Sequence, residues 1–400
     1  MSARDGATPS VIVVGGGIGG LAAALALARL SLRVTLLEQS ADIGEIGAGI
    51  QLAPNAFAAL DALGAGANAR QRAVFTEQLV LMDAVDETEV ASFAVGEAFR
   101  ARFRNPYAVI HRTDIHASIL QAVTATPGIT LLTSRRAVAL IEAGDELTVV
   151  DQHAQMYRAD AVIGCDGVKS VIRAHLLGDA HRVSGHVVYR GVVPVADMPE
   201  DLRWNAPVVW AGPDCHLVHY PLRGGNQFNL VVTFHSREPE TWGVRDGSKD
   251  EVVSYFDGIG SRPRQLLECP TSWKRWSTAD RDPVARWGRG RTTLLGDAAH
   301  PMLQYLAQGA CMALEDAVTL GEAVRQCGLD LEAGFRRYER ARITRTARVV
   351  LSAREMGRIY HAKGVERLVR NSLWRGRKPE QFYDAFDWLF GWTAQGCLTN

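Results

Sequence analysis

The chain has 400 residues, of which 47% are hydrophobic and 22% are charged, so it is long enough for two core-bearing domains and is not a disordered chain. Its 44 basic and 44 acidic residues cancel, so no overall field draws it to nucleic acid or to an anionic membrane surface. The six cysteines are far apart and form no C-x-x-C pair, which favours reduced thiols and argues against a metal site.

The apolar run VIVVGGGIGGLAAALALARL occupies residues 11–30. We do not expect a signal peptide, because no excess of positive charge precedes the run and no cleavage motif follows it. Five glycines would weaken it as a membrane-spanning helix, and no other stretch approaches about 20 apolar residues. The sequence therefore predicts a cytoplasmic protein without an integral membrane segment.

The same run predicts a strand, a glycine turn and a helix. Residues 11–14 are apolar and mostly β-branched, as in a strand that is buried on both faces of a parallel sheet, and residues 21–30 are rich in Ala and Leu. Between them, Gly15, Gly17 and Gly20 complete the pattern G-x-G-x-x-G. This pattern places a tight turn at a helix N-terminus, where a dinucleotide pyrophosphate binds.

A second predicted strand, residues 33–37, ends at Glu38, which lies 18 residues beyond Gly20. An acid at this distance accepts hydrogen bonds from a ribose 2′-hydroxyl and disfavours a 2′-phosphate. The order of strand, glycines, helix, strand and acid predicts a dinucleotide site. By itself it leaves NAD and FAD open.

Another strand and turn are predicted in the middle of the chain. Residues 161–164 are apolar, and the sequence Cys165-Asp166-Gly167 ends this strand before a basic helix start. Taken alone, this pattern indicates no more than a strand-to-helix turn.

A third motif lies much later in the chain. Residues 293–295 predict a strand, Gly296-Asp297 predicts a turn, and residues 308–320 predict a helix in which Gly309 lies near the N-terminus. An acid at a strand end beside a free helix N-terminus suits a polyol chain on one side and a polarised ring carbonyl on the other.

With these three motifs the chain resembles the single-component FAD-dependent aromatic hydroxylases, over nearly its whole length. The resemblance implies FAD as the bound cofactor, with Glu38 at the adenosine ribose, Arg112 near the polar chain of the flavin and Asp297 at the ribityl chain. It implies that Asp166 serves either FAD or NAD(P)H, and Gly309 is a further cofactor-binding candidate. Because no second glycine-rich unit is present, we expect NADH or NADPH to bind only transiently.

Within that family, one position is distinctive. Gln304 follows the histidine of GDAAH by four residues, where many members carry proline. Together with the segment 212–225, it is similar to the members that convert 3-hydroxybenzoate to gentisate. The resemblance implies that His216 and Gln304 are catalytic and face the substrate phenol, and that Tyr220 lines the pocket. A salicylate 1-hydroxylase, which is decarboxylating and forms catechol, or another phenolic-acid hydroxylase is the alternative.

These residue types suit the chemistry that the resemblance implies. In the family, reduced flavin and O2 give an electrophilic C4a-hydroperoxyflavin, so the arene must become electron-rich through its phenolic proton. A histidine with the ordinary pKa of about 6.5 accepts that proton at neutral pH. Gln304 donates or accepts hydrogen bonds but does not titrate, so we expect it to orient the substrate.

The segment HLVHY alternates with the period of a strand. His216 and Tyr220 share one face with Val218, whereas Leu217 and His219 share the other. Periodicity alone favours a buried structural role for His216, and the resemblance favours a role in the pocket. His219 is then the natural control residue.

The predicted fold is α/β, with a Rossmann-like FAD-binding domain interleaved with a β-rich substrate domain and followed by C-terminal helices. The predicted boundaries are 1–75, 100–182 and 286–325 for the FAD-binding domain, 76–99 and 183–285 for the β-sheet substrate domain, and 326–400 for the C-terminal helical segment.

The C-terminal part holds two further patterns. Residues 331–362 carry eight arginines, and interleaved glutamates favour a solvated helix with local ion pairs over a nucleic-acid-binding helix. The aromatic tail DAFDWLFGW, residues 384–392, predicts docking on the body of the protein or a subunit interface. The family suggests a homodimer, and a flavin-binding sensor without catalysis is the alternative from a different functional class.

Overall fold

A computed structural model describes residues 8–42, 48–144 and 146–399 of the protein. These residues form nineteen strands and twelve α-helices. The strands are β1 Ser10–Val14, β2 Arg33–Leu37, β3 Gly49–Leu52, β4 Val74–Phe75, β5 Gln78–Asp83, β6 Glu89–Ala94, β7 Ala108–His111, β8 Ile129–Leu132, β9 Ala137–Ala143, β10 Glu146–Asp151, β11 Met156–Ala159, β12 Ala161–Gly164, β13 Arg182–Pro194, β14 Val208–Gly212, β15 Cys215–Leu222, β16 Gln227–His235, β17 Val244–Gly247, β18 Trp273–Asp280 and β19 Thr292–Leu294. The helices are α1 Ile18–Ala28, α2 Pro54–Ala62, α3 Gly66–Arg72, α4 Glu97–Phe103, α5 Arg112–Thr124, α6 Val171–Leu176, α7 Lys249–Ser254, α8 Ser261–Glu268, α9 Gly309–Gln326, α10 Leu331–Tyr360, α11 Gly364–Trp374 and α12 Pro379–Phe390.

A five-stranded parallel sheet forms the centre of the first half, with the order β19-β12-β1-β2-β8. The apolar residues of β1 are buried because neighbouring strands flank it and helices cover the sheet. Helix α1 packs against α9, so the first and the third sequence motif meet in space. The strands predicted around residues 11–14, 33–37 and 161–164 are confirmed.

An eight-stranded sheet with the order β17-β18-β13-β16-β15-β14-β5-β6 forms the second layer. Its long central strands are antiparallel, and β5 joins β14 in parallel. Strands β5 and β6 lie within residues 76–99, and both join this second sheet. Together the two sheets confirm the predicted α/β fold. The numerical domain boundaries stay a prediction.

The arginine-rich helix α10 differs from the sequence prediction. Arg336 and Arg358 do form local ion pairs, with glutamates of their own helix. Arg342, however, has a side chain that is only 1% exposed and pairs with the buried Glu315 and Asp316 of α9 at 2.5 and 2.6 Å. The prediction of a solvated helix was therefore wrong for this side of α10, because its acidic partners lie on a different helix.

The aromatic tail packs on the body of the protein. The ring centroids of Phe386 of α12 and Phe93 of β6 are 6.0 Å apart, and Phe390 meets Phe103 edge-on at 5.7 Å. The first of the two predicted alternatives, docking on the body, is thus observed, and the homodimer stays a prediction. Within the described residues, no helix combines the length and the apolar composition that a membrane span requires.

We expect Arg342→Ala to lower the free energy of unfolding by about 3–5 kcal/mol, because it removes a buried cation that pairs with two buried carboxylates, and the remaining partners Arg345 and His300 contact only one carboxylate each. The matched control, Arg336→Ala, removes an exposed i,i+4 pair and is expected to cost less than about 0.5 kcal/mol. Urea unfolding of both variants measures the difference. Equal losses of stability would show that the buried network contributes no more than a surface pair.

Candidate active site

The glycine turn after β1 is built so that side chains do not fit. Gly15 has a φ of 106°, and a Cβ on it would lie 2.4 Å from the carbonyl oxygen of Cys165. A Cβ on Gly20 would lie 1.8 Å from the carbonyl oxygen of Gly15. The close approach leaves the N-terminus of α1 open to a cavity, and Gly17 caps that helix without a side chain. This is the geometry that binds a pyrophosphate.

Glu38 lies directly above this turn. Its carboxylate accepts hydrogen bonds from the backbone N–H groups of Gly16 and Ser40, both at 2.7 Å. A carboxylate has about four acceptor positions. Glu38 therefore keeps capacity to accept hydrogen bonds from ribose hydroxyls at the position where the sequence motif expects them.

A cavity of about 650 Å³ extends from the glycine turn to the eight-stranded sheet. Backbone from three separate turns borders its first half, together with the first residue of α5. These lining residues are Gly17, Gly19, Arg112, Gly167, Gly296, Asp297 and Gly309. The glycine-rich lining and the Glu38 carboxylate beside the glycine turn fit a flavin dinucleotide. Within the described residues, no group of histidine, cysteine and acidic side chains could hold a metal ion.

Asp166 is turned toward a helix. Its carboxylate accepts hydrogen bonds from the Ser170 hydroxyl at 2.5 Å and from the Val171 N–H at 2.7 Å, and so caps α6. Burial raises its pKa. The neighbours Cys165 and Gly167 line the cavity. A direct role for Asp166 in cofactor binding stays a prediction.

Strand β15 forms the wall at the other end of the cavity. His216, Val218 and Tyr220 line the cavity, in agreement with the predicted alternation. His219 faces the opposite way, where its Nε2–H donates to the Leu202 carbonyl at 3.1 Å and its Nδ1 accepts from Trp210 at 3.4 Å. The tautomer of His219 is thereby fixed by structural partners.

Gln304 reaches the same wall from a short 3-10 turn before α9. Its Nε2 donates to the hydroxyl of Thr233 at 3.3 Å, and Thr233 is the residue directly opposite His216 in the β15–β16 pair. Two residues that are far apart in sequence therefore lie side by side on the cavity wall. The Oε1 of Gln304 makes no hydrogen bond with a described residue and is available to a ligand.

A cluster of rings lies behind His216 that sequence reasoning missed. His216 Nδ1 lies 2.8 Å from the Nε2 of His361, which follows α10, and the hydroxyl of Tyr305 lies 2.6 Å from the Nδ1 of His186. The ring centroids of His186 and His361 are 5.3 Å apart. Isolated histidines carry no periodic signal, so the sequence gives no indication that these residues meet.

Comparison with known proteins identifies the family. Residues 8–352 match the FAD binding domain family. The chain belongs to the family of FAD-dependent aromatic hydroxylases. A 3-hydroxybenzoate 6-hydroxylase of Klebsiella oxytoca is 62% identical over 97% of this chain and 98% of the relative, and one of Polaromonas naphthalenivorans (strain CJ2) is 61% identical over 98% of each.

Solved structures agree with this family. A salicylate hydroxylase in complex with substrate is 27% identical and superposes with a TM-score of 0.82, covering 98% of this chain and 97% of that structure. The HpxO protein of Klebsiella pneumoniae, complexed with FAD and uric acid, shares the fold at a TM-score of 0.83 with 24% identity, over 94% and 95% of the two chains. This protein is thus an FAD-dependent aromatic-ring monooxygenase with an aromatic substrate.

Burial decides the charge state of the histidines in this hydroxylase. Burial, and secondly the proximity of His186, lower the pKa of His216 to about 3. Burial also lowers the pKa of His186 to about 4 and that of His361 well below its usual value. The ordinary pKa that sequence analysis assumed for His216 is therefore wrong, because the ring is desolvated and no carboxylate faces it among the described residues.

We expect Gly20→Ala to abolish FAD binding by the hydroxylase, because the added methyl group would overlap the backbone of Gly15 and distort the turn. Gly243→Ala is the matched control, since no atom lies within 4 Å of a Cβ built there. The flavin absorbance of each purified variant measures the cofactor content. A Gly20→Ala protein that retains a full complement of flavin would contradict the assignment of this turn.

We also expect acid to destabilise the folded hydroxylase. Below pH 6.5 the unfolded chain protonates its histidines, whereas the folded state keeps the buried rings neutral, so each such ring costs up to about 1.4 kcal/mol per pH unit. The urea midpoint of the holoenzyme should fall between about pH 7.5 and about pH 5.5, and less steeply in His219→Gln. A midpoint that stays constant or rises on acidification would show that these histidines are not neutral.

Proposed function

We propose that this hydroxylase converts 3-hydroxybenzoate to gentisate, with NADH or NADPH as electron donor and O2 as oxidant. The observation that carries the proposal is the juxtaposition of His216 and Gln304 on the cavity wall, joined through Thr233. The name carried by relatives that are 62% and 61% identical supports the same substrate.

The chain supplies the cofactor site from three turns. We assign the glycine turn to the pyrophosphate, Glu38 to the adenosine ribose, Arg112 to the polar chain of the flavin and Asp297 to the ribityl chain. Gly309 opens α9 next to Asp297, so the N-terminus of that helix adds partial positive charge there. When bound, FAD supplies the redox chemistry, in which NAD(P)H provides the electrons and one oxygen atom of O2 enters the ring.

The cavity wall prepares the substrate. His216 Nε2 accepts the proton of the phenolic hydroxyl, which makes the ring electron-rich at the position para to that hydroxyl. Gln304 holds the hydroxyl through its amide and fixes the orientation of the ring. Tyr220 lies against the backbone of Gly49 and limits the width of the cavity. The position of the substrate ring in the cavity, more than the acidity of its hydroxyl, then determines which carbon is hydroxylated.

The direct test is the reaction itself. Purified holoenzyme should oxidise NADH or NADPH faster when 3-hydroxybenzoate is added, and chromatography should identify gentisate as the product. Release of CO2 and catechol from salicylate, with no gentisate from 3-hydroxybenzoate, would favour the salicylate 1-hydroxylase alternative and refute the proposal. Binding of aromatic acids without accelerated flavin reduction would instead indicate a sensor.

We expect His216→Ala to lower hydroxylation by about 10²-fold or more, the typical contribution of one general base, while FAD stays bound. Gln304→Ala should also lower hydroxylation and increase the fraction of NAD(P)H oxidised without product. The control is His219→Ala, which removes a buried ring of the same kind on the opposite face and should be mild by comparison. Near wild-type turnover in His216→Ala would contradict the assigned role.

A further inference from the structure

A second buried histidine stands directly behind His216. The Nε2 of His361 lies 2.8 Å from the Nδ1 of His216, and the two residues are 9% and 2% exposed. The pair joins the cavity wall to the end of α10, 145 residues further along the chain. Two neutral imidazoles at this distance share a single hydrogen atom, so one of them donates and the other accepts.

The proposed role of His216 as a proton acceptor determines which ring donates. His216 Nε2 makes no hydrogen bond with a described residue and belongs to a side chain that lines the cavity. To accept a proton from a ligand, this nitrogen must carry a lone pair, so the hydrogen of His216 resides on Nδ1. The Nδ1–H of His216 then donates to His361 Nε2, and His361 carries its own hydrogen on Nδ1.

A positive charge on His216 would be energetically unfavourable. Its neighbours are the rings of Tyr305, Tyr360 and His361, with centroids 5.1 to 5.4 Å away, and no carboxylate forms an ion pair with it among the described residues. An imidazolium at this position would be desolvated and uncompensated. Consistent with this, its pKa is lowered to about 3. If His216 took up the phenolic proton and lost none of its own, it would become this unfavourable cation. It would therefore be a weak base toward a phenol.

We propose that His361 is a positioning residue that takes the Nδ1 proton of His216 as His216 accepts the phenolic proton of the substrate. The inference rests on the proposed function, because it requires a phenol in the cavity. The phenolic O–H bond breaks as an N–H bond forms at His216 Nε2, and the Nδ1–H bond of His216 breaks as an N–H bond forms at His361 Nε2. His361 then releases its Nδ1 proton to water, and the reverse transfer at product release resets both rings.

The surroundings of His361 provide the exit for that proton. His361 Nδ1 makes no hydrogen bond with a described residue. The ring centroids of His361 and His186 are 5.3 Å apart. The ring centroid of the exposed His235 lies 5.2 Å from that of His186. The row of rings therefore runs from the cavity wall to solvent. The titratable and charged groups around the row are Tyr305, Tyr360, Asp214, Lys363, Arg182 and Asp280, of which the last four are engaged in ion pairs.

The test is His361→Gln. Glutamine presents an amide near the place of Nε2 and preserves a hydrogen bond to His216, but it cannot carry a proton onward. We expect kcat for 3-hydroxybenzoate to fall by about 10- to 100-fold with KM within about threefold, because only proton transfer is impaired. His361→Phe, which keeps a ring and removes the hydrogen bond, should lose at least as much. His219→Gln is the matched control.

A spectroscopic readout separates proton transfer from structural damage. The absorption difference spectrum of 3-hydroxybenzoate bound to the oxidised holoenzyme reports phenol or phenolate without turnover. We expect the apparent pKa of the bound phenol to be higher in His361→Gln than in wild type, and raising the pH should restore part of the lost kcat. Wild-type kcat together with an unchanged spectrum would overturn the relay. If His216→Ala is impaired while His361→Gln is not, the proposed function stands and the relay fails; absence of gentisate from wild type would refute the function itself.

Discussion

The alternation of side chains along β15 is the constraint on which the cavity depends. One face of the eight-stranded sheet packs on its own hydrophobic cluster, which includes Trp210, Leu217 and Val232. The other face must therefore carry whatever the cavity offers to a ligand. A shift of the pairing register by one residue would bury His216 in that cluster and turn Leu217 to the substrate.

Polar groups on a buried face are stabilised by hydrogen-bond partners, and here several of those partners come from other elements. The hydroxyl of Thr233 accepts a hydrogen bond from Gln304 in the turn before α9. His216 is hydrogen-bonded to His361 at the end of α10, and the side chain of Asn229 accepts a hydrogen bond from the N–H of Gly49 at 2.8 Å. The hydrogen bonds to these polar groups of the sheet thus also fix the position of the cavity wall relative to the flavin-binding half. Structural and chemical demands are met by one set of contacts.

Buried titratable groups are ionised in the flavin-binding half and neutral at the cavity wall. Behind the cofactor turn, Asp316 is fully buried and stays ionised, because His300 and Arg342 hold its pKa at about 2. Asp316 also accepts from the N–H of Gly296, so this charged network anchors the turn that carries Asp297. At the cavity wall no carboxylate compensates the histidines among the described residues, and they stay neutral. Compensated burial preserves charge, and uncompensated burial removes it.

The sequence predicted the parts of this structure that are local. The strand, glycine turn and helix at the start follow from a contiguous apolar run, and the two faces of β15 follow from period-two alternation. It could not predict that Arg342 is buried, since its acidic partners lie on α9 and charge spacing along α10 does not reveal them. Nor could it find His361, because a hydrogen bond between residues 145 positions apart depends on how α10 lies against the sheet.

The central claim is that the phenolic hydroxyl of the substrate meets His216. A crystal structure of the oxidised holoenzyme with 3-hydroxybenzoate tests it most directly. We expect the phenolic oxygen to lie within about 3.2 Å of His216 Nε2 and in contact with the amide of Gln304. A well-defined substrate whose hydroxyl points away from both side chains would contradict the account.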